Sequence, residues 1–231
     1  MTNYREKAEY ILQNADKFHA SYYKAATFGG PSLYFHLKAL SSRFPPGDES
    51  HLEYVYATLA SWGMHRMGKG GSKMLDFPVF SRSISLILSK IAEAQKYDPG
   101  DMKDDNWRVV KEIFQKINVM ASGTSLVGNS KVMHHMMPNI VPPIDREYTL
   151  RYLHGNASIK NDLEFEWEVM KSMIAEFFFP IVLNRQFSER AKMWIPKRGD
   201  LFPWDTSPLK IVDNLIIGSR KIPTSSIKLV S

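Results

Sequence analysis

The chain of 231 residues carries 30 Lys and Arg against 24 Asp and Glu, which gives a formal net charge of +6 at pH 7. Hydrophobic residues make up 44% of the sequence, which is enough for a packed core and excludes an intrinsically disordered chain. The absence of cysteine excludes disulfides, thiolate zinc sites, iron–sulfur clusters and cysteine nucleophiles.

Apolar residues recur at helical spacing through the first half of the chain, and segments rich in glycine and proline separate the runs. At Ser50, a Ser-x-x-Glu sequence has the spacing of a capping box and indicates a helix start. Pro78 can open the following helix, because proline is tolerated in a first turn. We predict helices over residues 3–27, from 32 to the proline pair at 45–46, over 50–67 and from 78 to about 97.

The second half has the same helical character. We predict a helix from about residue 104, a short helix over 130–137, a helix beginning near 145, a long helical run over 161–194 and a last short helix over 205–218. Pro180 predicts a kink within the long run. Strand alternation is almost absent, so the predicted fold class is all-α, a compact multi-helix domain.

We expect residues 1–231 to form one helical unit, with a core over about 50–153 and the helices of 1–49 and 154–231 packed on it. Two packed lobes are the alternative arrangement. The N-terminal segment resembles an amphipathic helix rather than a signal peptide or a membrane span. We therefore expect a cytoplasmic protein with no membrane partner, associated with the nucleoid if it binds DNA.

The segment around Gly128 carries the most distinctive chemistry. A glycine between apolar residues and a helix allows a tight turn, and the N–H groups of Gly128, Asn129 and Ser130 at a helix start can receive a phosphate. Lys131 then lies in a first turn, where the helix dipole disfavours a cation unless an anion compensates. A proline-rich return leads to Asp145, which can bring the two side chains toward one cleft.

This order of glycine turn, lysine, short helix, proline-rich return and aspartate resembles the helix-hairpin-helix DNA glycosylase superfamily over about residues 50–153. The resemblance implies a DNA-binding protein of DNA repair, with a helix-hairpin-helix element marked by Gly128. It implies that Lys131 is the Schiff-base nucleophile of a glycosylase/lyase and that Asp145 is the general acid/base or cation-stabilising carboxylate. Extrusion of a base requires an aromatic pocket, for which the candidate walls are Trp62, Trp107 and Tyr148.

Further basic residues are candidates for contacts with the DNA backbone, and they are Arg66, Lys69, Lys73 and Arg146. The segment around Lys69 lacks the spacing of a phosphate-binding P-loop, which argues against a nucleotide hydrolase. Adjacent His134 and His135 point about 100° apart on a helix, so we expect no metal, and we expect no cofactor.

Plainer interpretations remain open for each of these features. Lys131 can be a solvated helix residue or a phosphate contact, Asp145 can be a helix N-cap, and Gly128-Asn129 can be a simple turn. The alternative function is a non-catalytic helical module that binds nucleic acid or another protein. DNA is the expected partner in the leading interpretation.

Overall fold

Helices account for almost all regular structure in the part of the chain described by the computed structural model, namely residues 3–25, 29–41, 43, 45–64, 74–195 and 201–221. Within these ranges there is no β-strand, and Met74 and Met120 form an isolated bridge. The predicted all-α fold is confirmed. The first seven helices are α1 (Tyr4–Gln13), α2 (Ala15–Ala25), α3 (Pro31–Ala39), α4 (Glu49–Ser61), α5 (Phe77–Ser85), α6 (Leu88–Ala94) and α7 (Asp104–Lys116).

The remaining helices are α8 (Leu126–Met136), α9 (Arg151–His154), α10 (Leu163–Met173), α11 (Phe179–Val182), α12 (Arg185–Trp194) and α13 (Pro208–Lys221). Two π-helical turns, Arg146–Leu150 and Ile174–Phe178, lead directly into α9 and α11. The second π turn ends two residues before Pro180, where a kink was predicted. Proline cannot donate the regular helical hydrogen bond, so an irregular turn at this position has a local cause.

Several predicted boundaries are wrong by a few residues. The first predicted helix is divided at Asn14, whose side chain donates to the carbonyl oxygen of Tyr10. Helix α4 is capped by Asp48, which accepts a hydrogen bond from the N–H of Ser50 at 2.9 Å, instead of by Ser50 itself. Helix α8 begins at Leu126, four residues before the predicted start, because its N-terminus meets a partner from another helix, described below.

Buried side chains from Ala8 in α1 to Ile216 in α13 belong to one hydrophobic cluster. Helix α13 is buried over most of its length, and its residues from Leu209 through Ile216 are all buried. It crosses α2 at Gly218, where a Cβ atom would overlap the carbonyl oxygen of Phe18 and lie 3.1 Å from the backbone nitrogen of Tyr22. This close crossing fixes α13 as one wall of the pocket described next.

No helix in the described ranges combines the length and the apolar character required to cross a membrane.

Candidate active-site pocket

Helix α8 is buried along its whole length, and a carboxylate satisfies its N-terminus. Glu166 of α10 is 1% exposed and accepts a hydrogen bond from the N–H of Leu126 at 2.6 Å. Burial raises the pKa of Glu166, while backbone N–H groups of Leu126 and Ser125 act in the opposite direction. The positive end of this helix therefore already faces an anion supplied by the protein.

The structure corrects the predicted phosphate contact of Gly128, Asn129 and Ser130. All three lie inside α8, and the side chain of Asn129 donates to the carbonyl oxygen of Phe114 at 2.8 Å. Ser130 donates to the carbonyl oxygen of Val127 and accepts from the N–H of Ile144. These side chains hold α8 in the core, and the anion that the glycine turn was expected to bind is replaced by Glu166.

We expect Glu166→Gln to destabilise the protein by about 1–3 kcal/mol, because a neutral amide is a weaker buried acceptor than a carboxylate for these N–H groups. Glu168→Gln is the matched control, since Glu168 lies on the same helix and is exposed. That control should change the free energy of unfolding by less than about 0.5 kcal/mol. Urea denaturation measures the free energy of unfolding of both variants. An equal loss in the two variants would show that the capping carboxylate contributes nothing to stability.

Lys131 and Asp145 lie close together although 14 positions separate them in the chain. The Nζ atom of Lys131 is 3.6 Å from Oδ2 of Asp145. The other oxygen of Asp145, Oδ1, accepts hydrogen bonds from the N–H groups of Glu147 at 2.8 Å and Tyr148 at 3.1 Å. Asp145 is therefore the N-cap of the following π-helical turn, and its second oxygen remains directed toward the lysine.

This pair opens on a cavity of about 330 Å³. Four aromatic residues contribute to its wall: Tyr22, Trp62, Tyr148 and Trp204. Five charged residues line it as well: Lys131, Asp145, Lys210, Asp213 and Lys221. The Lys131 amine is 5.5 Å from the centre of the Trp62 ring, a cation–π distance. The cavity thus combines flat apolar surfaces with amines and carboxylates.

The amine of Lys131 is in an unusual environment for a lysine, since the residue is only 5% exposed. Burial lowers the pKa of Lys131 below its usual value, and Lys210 acts in the same direction. The carboxylates of Asp145 and Asp213 act against this shift. A lowered pKa increases the fraction of neutral amine, which is the nucleophilic form.

The wall of the same pocket carries a second buried Lys/Asp pair, which was not predicted from the sequence. Lys210 donates to Oδ2 of Asp213 at 2.8 Å and to the side-chain oxygen of Asn214. Asp213 also accepts from the hydroxyl of Thr149 at 2.7 Å. The available signal was the presence of Lys210, Asp213 and Asn214 within a helix whose neighbouring residues are almost all apolar.

A further buried carboxylate, Asp205, supports this wall from behind. Asp205 is fully buried and accepts hydrogen bonds from His19 at 2.7 Å, Tyr23 at 2.9 Å and Asn214 at 3.0 Å. The ring of His19 stacks on Trp194 with a centroid distance of 4.0 Å. Polar side chains therefore connect the pocket wall to α2 and hold Asn214, a partner of Lys210, in place.

Two of the three aromatic residues that were predicted to form the pocket wall lie in the pocket. Trp62 and Tyr148 line the pocket with Lys131 and Asp145, whereas Trp107 does not. Trp107 is buried against Phe179, 5.8 Å between ring centres, so its predicted role as a pocket wall is wrong. It occupies the apolar face of α7, which packs into the core.

Arg146 donates to the hydroxyl of Thr124 at 3.2 Å, and its contact with nucleic acid stays a prediction. Arg66, Lys69 and Lys73 lie outside the described residues.

Within the described ranges, no group of three or more His, Asp or Glu side chains is arranged to hold a metal ion. Comparison of the chain with protein-family models, with curated proteins and with solved structures found no match.

Proposed function

We propose that this pocket is the active site of a DNA glycosylase/lyase, in which Lys131 is the nucleophile and Asp145 carries the proton. One observation carries the proposal. A buried lysine amine lies 3.6 Å from a carboxylate oxygen at the wall of a cavity with four aromatic side chains. This is the combination that attack on the sugar of an extruded nucleotide requires.

The chemistry uses these two groups in sequence. The neutral Nζ of Lys131 forms a bond to C1′ of the sugar, and the bond between C1′ and the base breaks, with its electron pair leaving on the base. The nitrogen then releases a proton to Asp145, and this proton ends on the departing base. C1′ then carries both the Lys131 nitrogen and the ring oxygen O4′. The bond between C1′ and O4′ breaks with its electron pair on O4′, and the remaining N–H proton passes through Asp145 to O4′. The nitrogen lone pair completes the Schiff base between Lys131 and C1′.

The size and lining of the cavity fit one nucleotide. A volume of about 330 Å³ is at the lower end of the range for small-molecule pockets, and it admits a single nucleotide but not a duplex. Trp62 and Trp204 line the cavity, and aromatic side chains are the surfaces on which single bases stack. The net charge of +6 favours association with a polyanion, which supports DNA as the source of the nucleotide.

Borohydride trapping tests the proposal. The protein is incubated with duplex and single-stranded oligonucleotides that contain an abasic site or a damaged base, and borohydride reduces any Schiff base to a stable amine. We expect a covalent adduct with the native protein, no adduct with Lys131→Met, and trapping at least about 100-fold slower with Asp145→Asn. Lys171→Met is the matched control, because Lys171 lies over the remote Trp107 ring and should not affect trapping.

The remaining outcomes separate the alternatives. DNA binding that weakens steeply with salt, with no adduct on any substrate, would contradict the enzyme and support a non-catalytic nucleic-acid-binding module. No adduct and no binding at low salt would contradict a nucleic-acid function altogether. Circular dichroism of each variant establishes that loss of trapping does not reflect loss of folding.

A further inference from the structure

We infer that Lys210 is a positioning residue of this pocket, a fixed cation in the same cavity as the Lys131 amine that disfavours a second positive charge there. The inference rests on the proposed function, since it assigns a role within the same site. It begins from the location of Lys210, which is 4% exposed and lies in the first turn of α13. Burial and the helix dipole both oppose a cation there.

The contacts of Lys210 hold its ammonium group in one place. Its Nζ donates to Asp213 and Asn214, and it lies 5.8 Å from the centre of the Trp204 ring and 5.9 Å from that of Tyr22. Asp213 and Asn214 are themselves held, by Thr149 and by Asp205. The charge of Lys210 is therefore fixed at the pocket wall and paired with a carboxylate at 2.8 Å.

The two lysines of the pocket differ in how well a positive charge is compensated. Lys131 faces Asp145 at 3.6 Å, and the side chain of Asp145 is 35% exposed, so solvent weakens this attraction. Lys210 is paired with Asp213, whose side chain is 5% exposed. The distance between these two charged groups is 2.8 Å, compared with 3.6 Å between Lys131 and Asp145. The ammonium group of Lys210 therefore has a closer and more deeply buried carboxylate partner than that of Lys131.

Groups from several elements act on the Lys131 amine. Asp145 lies on the return after α8, Asp213 and Lys210 lie on α13, His135 lies on α8 itself, and Lys221 and Tyr148 line the same cavity. The positive charge of Lys210 adds to the effect of burial in lowering the pKa of Lys131. Removal of Lys210 ends this repulsion and leaves Asp213 without its ammonium partner, and both changes favour protonation of Lys131.

Competitive labelling with acetic anhydride tests the inference without any substrate, because the reagent modifies neutral amines only. Mass spectrometry of the Lys131 peptide gives the fraction labelled as a function of pH. In Lys210→Met we expect the labelling curve of Lys131 to move upward by about one pH unit, which is about tenfold less labelling at neutral pH. Lys210→Arg retains the charge and should give the native curve.

Asp213→Asn is a second variant, for which we expect the labelling curve of Lys131 to shift in the opposite direction. It removes an anion that favours protonation of Lys131, so the curve should move to lower pH. Lys171→Met is the remote control and should leave the curve unchanged. An unchanged curve in Lys210→Met, or an equal shift in Lys210→Arg, would overturn the inference. If Lys210→Met does not fold, Lys210→Gln removes the charge with a polar side chain, and an unchanged curve in that variant overturns the inference.

The two proposals fail separately. A shifted labelling curve without any borohydride adduct would retain the role of Lys210 and contradict the glycosylase/lyase. An adduct on Lys131 together with unchanged labelling curves would retain the enzyme and contradict the role of Lys210.

Discussion

Acidification below about pH 6.5 is expected to unfold the protein, because buried histidines, three of them in one cluster, must then take up protons. His36, His134 and His135 are each 3% exposed or less. Burial lowers the pKa of His36 and His134 well below the usual value, and it lowers the pKa of His135 to about 3. In the unfolded chain, the same side chains titrate near about pH 6.5.

The hydrogen bonds of this cluster require neutral rings. Nδ1 of His135 donates to the carbonyl oxygen of Lys131 at 2.7 Å, which leaves its Nε2 as the acceptor for Nδ1 of His36 at 3.0 Å. Nε2 of His36 in turn accepts from the hydroxyl of Thr206 at 3.0 Å. A second proton on His135 would direct its Nε2–H at the Nδ1–H of His36, and both rings are too deeply buried for bulk solvent to stabilise the charge.

The direction of the pH effect follows from these pKa values. The folded pKa is lower than the unfolded one, so the contribution to stability is complete above about pH 6.5 and is lost as the pH falls below it. Each histidine costs about 1.4 kcal/mol per pH unit in that window, or about 4 kcal/mol per unit for three. Small proteins have a total stability of roughly 5–15 kcal/mol, so unfolding should be complete within a few pH units.

Urea denaturation between pH 8 and pH 5 measures this dependence, and its slope should correspond to uptake of at least about three protons. His51 adds to this number, because it is also buried and burial lowers its pKa. His134→Asn should reduce the slope by about one proton, because the Asn amide can replace Nδ1, which donates to the carbonyl oxygen of Val141 at 2.9 Å. His154→Asn, outside the cluster, is the matched control and should retain the native slope. If the free energy of unfolding of the native protein stays constant between pH 6.5 and pH 5, the histidines of the cluster are already charged in the folded state.

Gly218→Ala is expected to destabilise the protein by at least about 3 kcal/mol. The added Cβ would overlap the carbonyl oxygen of Phe18 and lie 2.9 Å from its carbonyl carbon. Backbone atoms cannot rotate away, so α2 and α13 must separate, and Tyr22 and Lys210 would lose their shared pocket wall. Within a helix, alanine is otherwise more favourable than glycine by about 1 kcal/mol. The expected loss of stability is what remains after this gain is subtracted from the cost of the overlap.

Gly128→Ala is the matched control, because it is also a glycine inside a buried helix. Its Cβ would meet the side chain of Met120 at 2.7 Å and that of Val119 at 3.1 Å. A methionine side chain can change rotamer, so we expect a loss at least about 1.5 kcal/mol smaller than that of Gly218→Ala. Equal losses, measured by urea denaturation, would contradict the close crossing of α2 and α13.

Local patterns in the sequence predicted the helices well where caps and periodicity agreed. Helix α7 begins at Asp104 as predicted, whereas α13 begins at Pro208, three residues after its predicted start, and Ser207 accepts from the N–H of Lys210 at 3.1 Å. The start of α8 was predicted wrongly, because its cap is Glu166, 40 positions further along the chain. A cap supplied by a distant helix leaves no signal in the adjacent residues.

The pocket was predictable only in part for the same reason. The glycine, lysine and proline-rich return gave the expectation that Lys131 and Asp145 approach each other, and they lie 3.6 Å apart. Trp204 and Lys210 reach the pocket from the C-terminal helix and its entry loop, through packing of α13 on α2. Periodicity gives the buried face of a helix but not which helix it meets, so these two side chains were not recognised.

The most direct test of the account is the identity of the residue that carries the borohydride-reduced adduct. Peptide mass mapping of the native protein, reduced in the presence of an abasic-site oligonucleotide, locates the modified side chain. We expect a single modification, on Lys131. An adduct on Lys210 or another lysine, or no adduct under conditions where DNA binds, would contradict it.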